Sequence, residues 1–346
     1  MLGKPSICTI SLGRSGAGHT IEHKLEVAAN HGFKGIEIFH EDILELSSSM
    51  PGGSNNENQL TAATIIGQIC QQHGLTIICL QPFMHYEGLL DRQLHQQRIE
   101  EMHHWVELAH NLGTDLILLP SSFLPENQVT EGMDLIVSDF QEIADIGLAA
   151  SPVVRYAFEA LCWGTRVDTW EASWGIIKRV NRTNFGICFD TFNLLGKIYA
   201  DPASPTGRTQ KCEQVLRASI RRMLMQVDVS KIFLVQVADG ERLSSPLTPD
   251  HEFYNAEQPS RMSWSRNARL FYGEHKYNAY LPVREILHTI VDGLGYKGWL
   301  SFEVFNRVLW DEDERIPETM AQRAMQSWSR MMDDLGTTSE SLVAKL

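Results

Sequence analysis

Four oxygen-bearing side chains stand in apolar runs in the second half of this 346-residue chain. Glu159 lies in Arg155-Tyr156-Ala157-Phe158-Glu159-Ala160-Leu161 and Asp190 in Gly186-Ile187-Cys188-Phe189-Asp190-Thr191. Gln236 lies in Phe233-Leu234-Val235-Gln236-Val237-Ala238-Asp239 and Glu303 in Leu300-Ser301-Phe302-Glu303-Val304-Phe305. A carboxylate in such surroundings is expensive to bury unless it is paired or bound to a cation. One of them would read as half of an ion pair. Four at matching places in four successive runs point to a shared site. An all-oxygen set suits a hard or borderline divalent cation, Mg²⁺ or Mn²⁺ first and Co²⁺ as an alternative. A purely structural polar network is the competing reading.

The elements that must carry these residues follow one alternation. Apolar runs at 6–12, 35–40, 75–83, 115–121, 154–161, 185–191, 232–239 and 299–305 are each followed by a segment with helical spacing. Continuous hydrophobicity suits strands covered on both faces, as in a parallel sheet. Helices are expected over 20–31, 91–112, 213–227, 282–294 and 317–335, several of them stopped by glycine. Eight strand–helix repeats without a hairpin signal predict a (β/α)₈ TIM barrel, a single domain over 1–335 with a polar tail at 336–346. An open doubly wound sheet would show a Gly-rich phosphate loop after its first strand, and the glycines at 13, 16 and 18 do not fit one. Three irregular stretches, 47–58, 200–208 and 240–280, all follow strands, which would gather them at the C-terminal face where barrel active sites lie.

Composition narrows the classes. A net charge of -13 argues against a sequence-independent grip on nucleic acid. No apolar run is long enough to span a membrane, and the first residues lack a signal-peptide layout. Six cysteines without a CxxC pair read as buried free thiols in a reducing compartment, so a cytoplasmic protein acting on a small molecule is expected. A homo-oligomer stays open.

The order of motifs resembles the xylose-isomerase-like TIM-barrel superfamily. Ala28-Ala29-Asn30-His31-Gly32-Phe33-Lys34-Gly35-Ile36-Glu37-Ile38-Phe39 is similar to its helix-one to strand-two signature. Narrower features resemble the 3-dehydroshikimate dehydratases of fungal quinate catabolism. They are Gln81-Pro82-Phe83 with Tyr86-Glu87-Gly88, then Phe158-Glu159-Ala160-Leu161-Cys162-Trp163-Gly164 and Cys188-Phe189-Asp190-Thr191-Phe192-Asn193, and last Val235-Gln236-Val237-Ala238-Asp239-Gly240 and Ser301-Phe302-Glu303-Val304-Phe305-Asn306. The resemblance implies a metal held by Glu159, Asp190, Gln236 and Glu303, and loss of water from 3-dehydroshikimate to give protocatechuate. It also marks a departure. Bacterial relatives carry histidine three residues after the strand-six aspartate, where this chain has Asn193, an amide that cannot serve as a base near neutral pH. A sugar or hydroxy-ketone isomerase or epimerase of the same superfamily is the alternative.

The remaining site expectations follow from that chemistry. The substrate carries a carboxylate, so a guanidinium is expected from Arg98, Arg266 or Arg269. His85 and His275 are candidates for proton transfer, with His40 beside them, and Tyr86 or Tyr254 for positioning by hydroxyl. Glu37 points into the barrel lumen as either a site residue or a paired structural carboxylate. His103-His104-Trp105 reads as outer helix surface or an interface between elements, and Met223, Leu224 and Val227 as an inner helix face.

Overall fold

The computed structural model describes residues 4–336, and apart from Gly336 the expected polar tail lies outside the described residues. Eight strands alternate with helices: β1 (Pro5–Cys8), β2 (Gly35–Phe39), β3 (Thr76–Gln81), β4 (Leu116–Pro120), β5 (Arg155–Glu159), β6 (Phe185–Asp190), β7 (Ile232–Val237) and β8 (Leu300–Phe302). They close as β1-β8-β7-β6-β5-β4-β3-β2, each neighbour parallel. Nearly every strand residue is buried, because one face meets the helices and the other the lumen.

The strands are shorter than their hydrophobic runs. Thr9–Leu12 turns into a 3₁₀ helix instead of extending β1, and β8 stops at Phe302, so Glu303 sits one residue past the ladder. Apolarity marks burial, and residues buried under the barrel mouth continue each run after pairing has ended.

The outer ring is made of α1 (Ile21–Asn30), α2 (His40–Ser48), α3 (Asn56–Gln72), α4 (Arg92–Leu112), α5 (Met133–Ala149), α6 (Trp170–Val180), α7 (Thr191–Ile198), α8 (Cys212–Gln226), α9 (Ser260–Ala268), α10 (Val283–His288) and α11 (Ile316–Gly336). Local chemistry sets many ends. Asp91 accepts from the Gln93 and Leu94 amides at the start of α4, and Gly113, with φ of 78°, closes it. The helix expected over 282–294 divides into α10 and a π-helical turn, Thr289–Gly293. Of the surface and interface readings for its segment, Trp105 takes the interface: it is buried, 5.1 Å from the Phe83 ring. On α8, Met223 and Val227 face inward, whereas Leu224 is exposed.

The long segment after β7 is more ordered than its polar composition suggests. It contains α9, and it returns so that Arg269–Leu270 pairs antiparallel with Asp239–Gly240, a short ladder absent from the sequence reading. That pairing pins residue 269 beside the exit of β7. All six cysteines are free and buried. Among the described residues no helix is long and apolar enough to cross a membrane.

Candidate active site

Parallel register brings the strand ends to one level. Asp190 is paired with Gln236 across β6 and β7, and Glu159 lies against Cys188 across β5 and β6. Ligand-type oxygens of Glu159, Asp190 and Glu303 all lie within 4.8 Å of one another, and all three residues are buried. Asp190 has two tasks. Its Oδ1 accepts from the Phe192 amide at 2.7 Å, capping α7, while its Oδ2 faces the cluster.

Two further residues tie the carboxylates together. Asn193, on the first turn of α7, donates from Nδ2 to Glu159 Oε1 at 2.6 Å and to Asp190 Oδ2 at 2.7 Å. Arg269 donates from Nη1 to Asp190 Oδ2 at 2.7 Å and to Glu303 Oε2 at 3.0 Å. Its guanidinium is fully buried, 4.5 Å from the Phe192 ring and 5.0 Å from Phe305. One layer below, Glu37 Oε2 accepts from Gln81 Nε2 at 2.6 Å and Gln236 Nε2 at 2.9 Å. Among the described residues the Gln236 side-chain oxygen Oε1 receives only a thiol contact from Cys188 at 3.5 Å.

Electrostatics show that this set is short of positive charge. Burial pushes Glu159 well above the ordinary carboxylate range, and Asp190 and Glu303 add to the rise. Burial lifts Glu303 to about 7, with Arg269 opposing the rise and Asp190 adding to it. Burial, and then Glu303, lift Glu37 to about 8. Burial works against the charge of Arg269, but Asp190, Glu303 and Glu159 outweigh it and hold the guanidinium protonated. Three clustered carboxylates, one guanidinium and an amide oxygen without a strong donor fit an oxygen-coordinated divalent cation. A second group, His95, Asp139 and Glu142 on α4 and α5, fits less well, because Arg92 already neutralises Asp139 at 2.7 Å.

A stability prediction follows. Glu37 and Glu303 are raised from 4.5 to about 8 and about 7, so the folded chain binds protons that the unfolded chain releases. Their contribution is full below about 4.5 and is lost as pH rises through about 7 to 8. Chelator-treated protein is therefore expected to melt at a lower temperature at pH 8 than at pH 6, and a divalent cation added at pH 8 to narrow the gap. Equal melting at both pH values in chelator would contradict this.

Above the cluster lies a cavity of about 430 Å³ with Glu159, Glu303, Arg269 and Gln81 in its lining. Phe39, Phe123, Trp163 and Phe305 give it aromatic walls, and Arg14, Arg266 and Trp310 contribute on the α9 and first-loop sides. A separate cleft of about 510 Å³ is lined by Arg242, Tyr280 and His275 but holds none of the carboxylates. The carboxylates, not cleft size, mark the 430 Å³ cavity as the candidate site.

The other expected residues are placed unevenly. Arg266 lines the cavity, is exposed, and has no hydrogen bond or ion pair among the described residues. Arg98 lies over the Phe83 ring at 4.2 Å and is bound to the Met84 carbonyl and Glu101. His85 packs 4.3 Å from the ring of Phe123, a wall residue. Burial, and then Arg98, lower its pKa to about 4, so the imidazole is neutral at neutral pH. Tyr86 is buried and donates its hydroxyl to the Asp139 carbonyl at 2.7 Å, away from the cavity, so the aromatic loop residue packs in the core. His275 is likewise moved away: it lines the other cleft and contacts the Ala279 carbonyl at 3.2 Å, because its loop folds back along β7. Tyr254 is exposed. Arg14 and Trp163 were not expected as cavity residues; Trp163 lies in the motif after Glu159, whereas nothing local distinguishes Arg14 from an ordinary loop residue.

Comparisons with known proteins agree with the barrel. The family model for xylose isomerase-like TIM barrels matches residues 25–331. The chain is 52% identical over 341 residues to a 3-dehydroshikimate dehydratase of Neurospora crassa, covering 97% of this chain and 95% of that protein. It is 30% identical over 301 residues to a 3-dehydroshikimate dehydratase of Pseudomonas aeruginosa, covering 87% of this chain and 38% of that longer protein. Among solved structures, a xylose isomerase-like TIM barrel/4-hydroxyphenylpyruvate dioxygenase fusion protein superposes with a TM-score of 0.72 at 25% identity, over 97% of this chain and 44% of its own.

Proposed function

This chain belongs to the xylose isomerase-like TIM barrel family, and we infer from that membership and its acidic barrel mouth that it is a 3-dehydroshikimate dehydratase, a hydro-lyase. The observation that carries the reading is its 52% identity over 97% of the chain to the Neurospora crassa dehydratase. In this reading its partner is a small molecule, not nucleic acid or membrane, and it works in the cytoplasm.

The reaction removes a proton from the carbon next to the ketone, expels the hydroxyl beta to that ketone as water, and tautomerises the ring to a catechol. The difficult part is forming the enolate. A divalent cation, Mg²⁺ or Mn²⁺ in this proposal, held by Glu159, Asp190, Gln236 and Glu303, supplies Lewis-acid stabilisation of negative charge developing on a substrate oxygen. The chain's own residues do the rest. Asn193 and Arg269 fix the rotamers of Glu159, Asp190 and Glu303. The aromatic walls match the faces of a six-membered ring and keep water from it. Arg266, unpaired, receives the substrate carboxylate, whereas Arg98 and Arg269 are bound to protein acceptors. Asn193, as an amide bound to two carboxylates, takes no proton. His85 is the proposed base, since its neutral imidazole sits against the cavity wall.

Two measurements test these assignments. Purified protein given 3-dehydroshikimate is expected to produce the ultraviolet band of protocatechuate. No band, with a ketose converted instead, would favour the isomerase reading. Replacing His85 by alanine is expected to lower kcat by about 10²- to 10⁴-fold, the range for loss of a general base. At saturating divalent cation, loss of wild-type kcat through protonation of His85 is expected only towards pH 4. A His85→Ala protein with unchanged kcat would remove His85 from the mechanism.

A further inference from the structure

Arg14 lies on the loop after β1, and that loop is built more firmly than its Gly-rich sequence suggests. Gly13 has φ of 122°, and a Cβ there would meet His19 Cδ2 at 2.4 Å, so only glycine fits the turn. Its carbonyl accepts at 3.0 Å from Lys24 Nζ, a fully buried ammonium that pairs with buried Asp42. Asp42 also accepts from the Ser15 hydroxyl at 2.5 Å. Burying such a pair is costly, and here it fixes the backbone on both sides of residue 14. The Arg14 amide then donates to the Leu309 carbonyl at 2.9 Å. The side chain is pinned as well. Its Nη2 meets Glu41 Oε2 at 2.6 Å, and its guanidinium lies 4.6 Å from the centre of the Trp310 ring.

Despite these contacts, Arg14 Nε is buried without a hydrogen-bond partner among the described residues, and Arg14 lines the same cavity as Arg266. Arg266 comes from α9, and the charge of Arg14 reaches it strongly enough to add to the effect of burial in lowering its pKa. Glu41 offsets the charge of Arg14, but Arg266 has no acidic partner among the described residues, so the two guanidiniums held towards one space leave it electropositive and open to an anion. The floor of the cavity carries the carboxylate cluster, with Arg269 already bonded to Asp190 and Glu303, so a carboxylate entering the cavity finds its free guanidinium donors on the Arg14 and Arg266 side.

We propose that Arg14 and Arg266 form a two-guanidinium clasp on the substrate carboxylate, and that this clasp makes the site select a cyclic acid over a neutral ketose. The proposal rests on the dehydratase reading and deepens it. Trp310 sets the plane of the Arg14 guanidinium, Glu41 holds its far edge, and Nε is left for the ligand. Arg266, without a protein partner, swings onto the second carboxylate oxygen. Planar, paired donors of this kind suit a carboxylate.

The test compares 3-dehydroshikimate with its methyl ester, which lacks the charge. Wild-type protein is expected to favour the acid by about 10²-fold in kcat/KM or more. Arg14→Gln and Arg266→Gln are each expected to raise KM for the acid about 10- to 100-fold with kcat within about threefold of wild type. The double variant is expected to treat acid and ester alike. Arg266 is exposed and unpaired, so its variant does not endanger the fold, and Arg14→Lys keeps the charge and is expected to regain part of the discrimination. Variants that slow acid and ester equally, leaving their ratio at the wild-type value, would overturn the clasp and reduce Arg14 to a structural residue. Wild-type protein that turned over neither compound would instead overturn the dehydratase reading and the clasp with it.

Discussion

The Glu303→Ala protein is expected to lose turnover by on the order of 10³-fold or more and to stop binding divalent cation. Glu303 stands past the end of β8, buried, with its Oε2 on Arg269 and its charge felt by Glu159 and Glu37. Removing it takes away one of three clustered carboxylates and leaves Asp190 as the remaining ion-pair partner of Arg269 among the described residues. Loss of a single preorganised group that stabilises developing charge costs about 10²- to 10³-fold in comparable sites. If Glu303 holds the cation as proposed, its loss removes that stabilisation and the cation's position together. Calorimetric titration with Mn²⁺ and a protocatechuate assay read the two effects separately. Glu303→Gln, which keeps shape without charge, is expected to fail in the same two assays. Turnover that survived both the substitution and chelation would end the metal-assisted mechanism.

The Arg269→Met protein is expected to be the least stable of the site variants in chelator. The guanidinium is buried and bridges Asp190 and Glu303 through one nitrogen. Its Nε also donates to Ser265 Oγ at 3.0 Å, one helical turn earlier. Removing one partner from a buried ionic group costs about 3–5 kcal/mol, because the charges left behind are uncompensated. For a domain of this size that is a fall in Tm on the order of 10 °C. A divalent cation compensates the same carboxylates, so added Mg²⁺ or Mn²⁺ should raise Tm further in Arg269→Met than in wild type. Arg269→Lys keeps the charge without the planar fork and should fall between them. A variant as stable as wild type in chelator would show that the carboxylates do not depend on this cation.

Much of this was legible in the residues. Eight apolar runs became eight parallel strands because burial on both faces leaves a continuous hydrophobic signature, and few other folds repeat it so often. The boundaries were less legible. Apolarity reports burial and not pairing, so Thr9–Leu12 and Glu303 read as strand although the ladder had ended. Helix α7 was hidden because the Asp190 side chain that caps it also belongs to the site.

By itself, the sequence determined the barrel and placed Glu159, Asp190, Gln236 and Glu303 at the ends of successive strands, Glu303 lying one residue beyond its own. Strand periodicity and strand ends are local, and in a parallel barrel equivalent ends meet at one face. Only the tertiary structure decided which loop residues join them. Arg269 reaches the cluster through a two-residue ladder, and Arg14 reaches the cavity through the buried Lys24–Asp42 pair. Asn193 holds two carboxylates from different strands, while Tyr86 and His275 turn away. The reason is physical. A loop side chain's direction depends on turns, ladders and ion pairs made with segments far off in the chain, and no spacing within the loop encodes them.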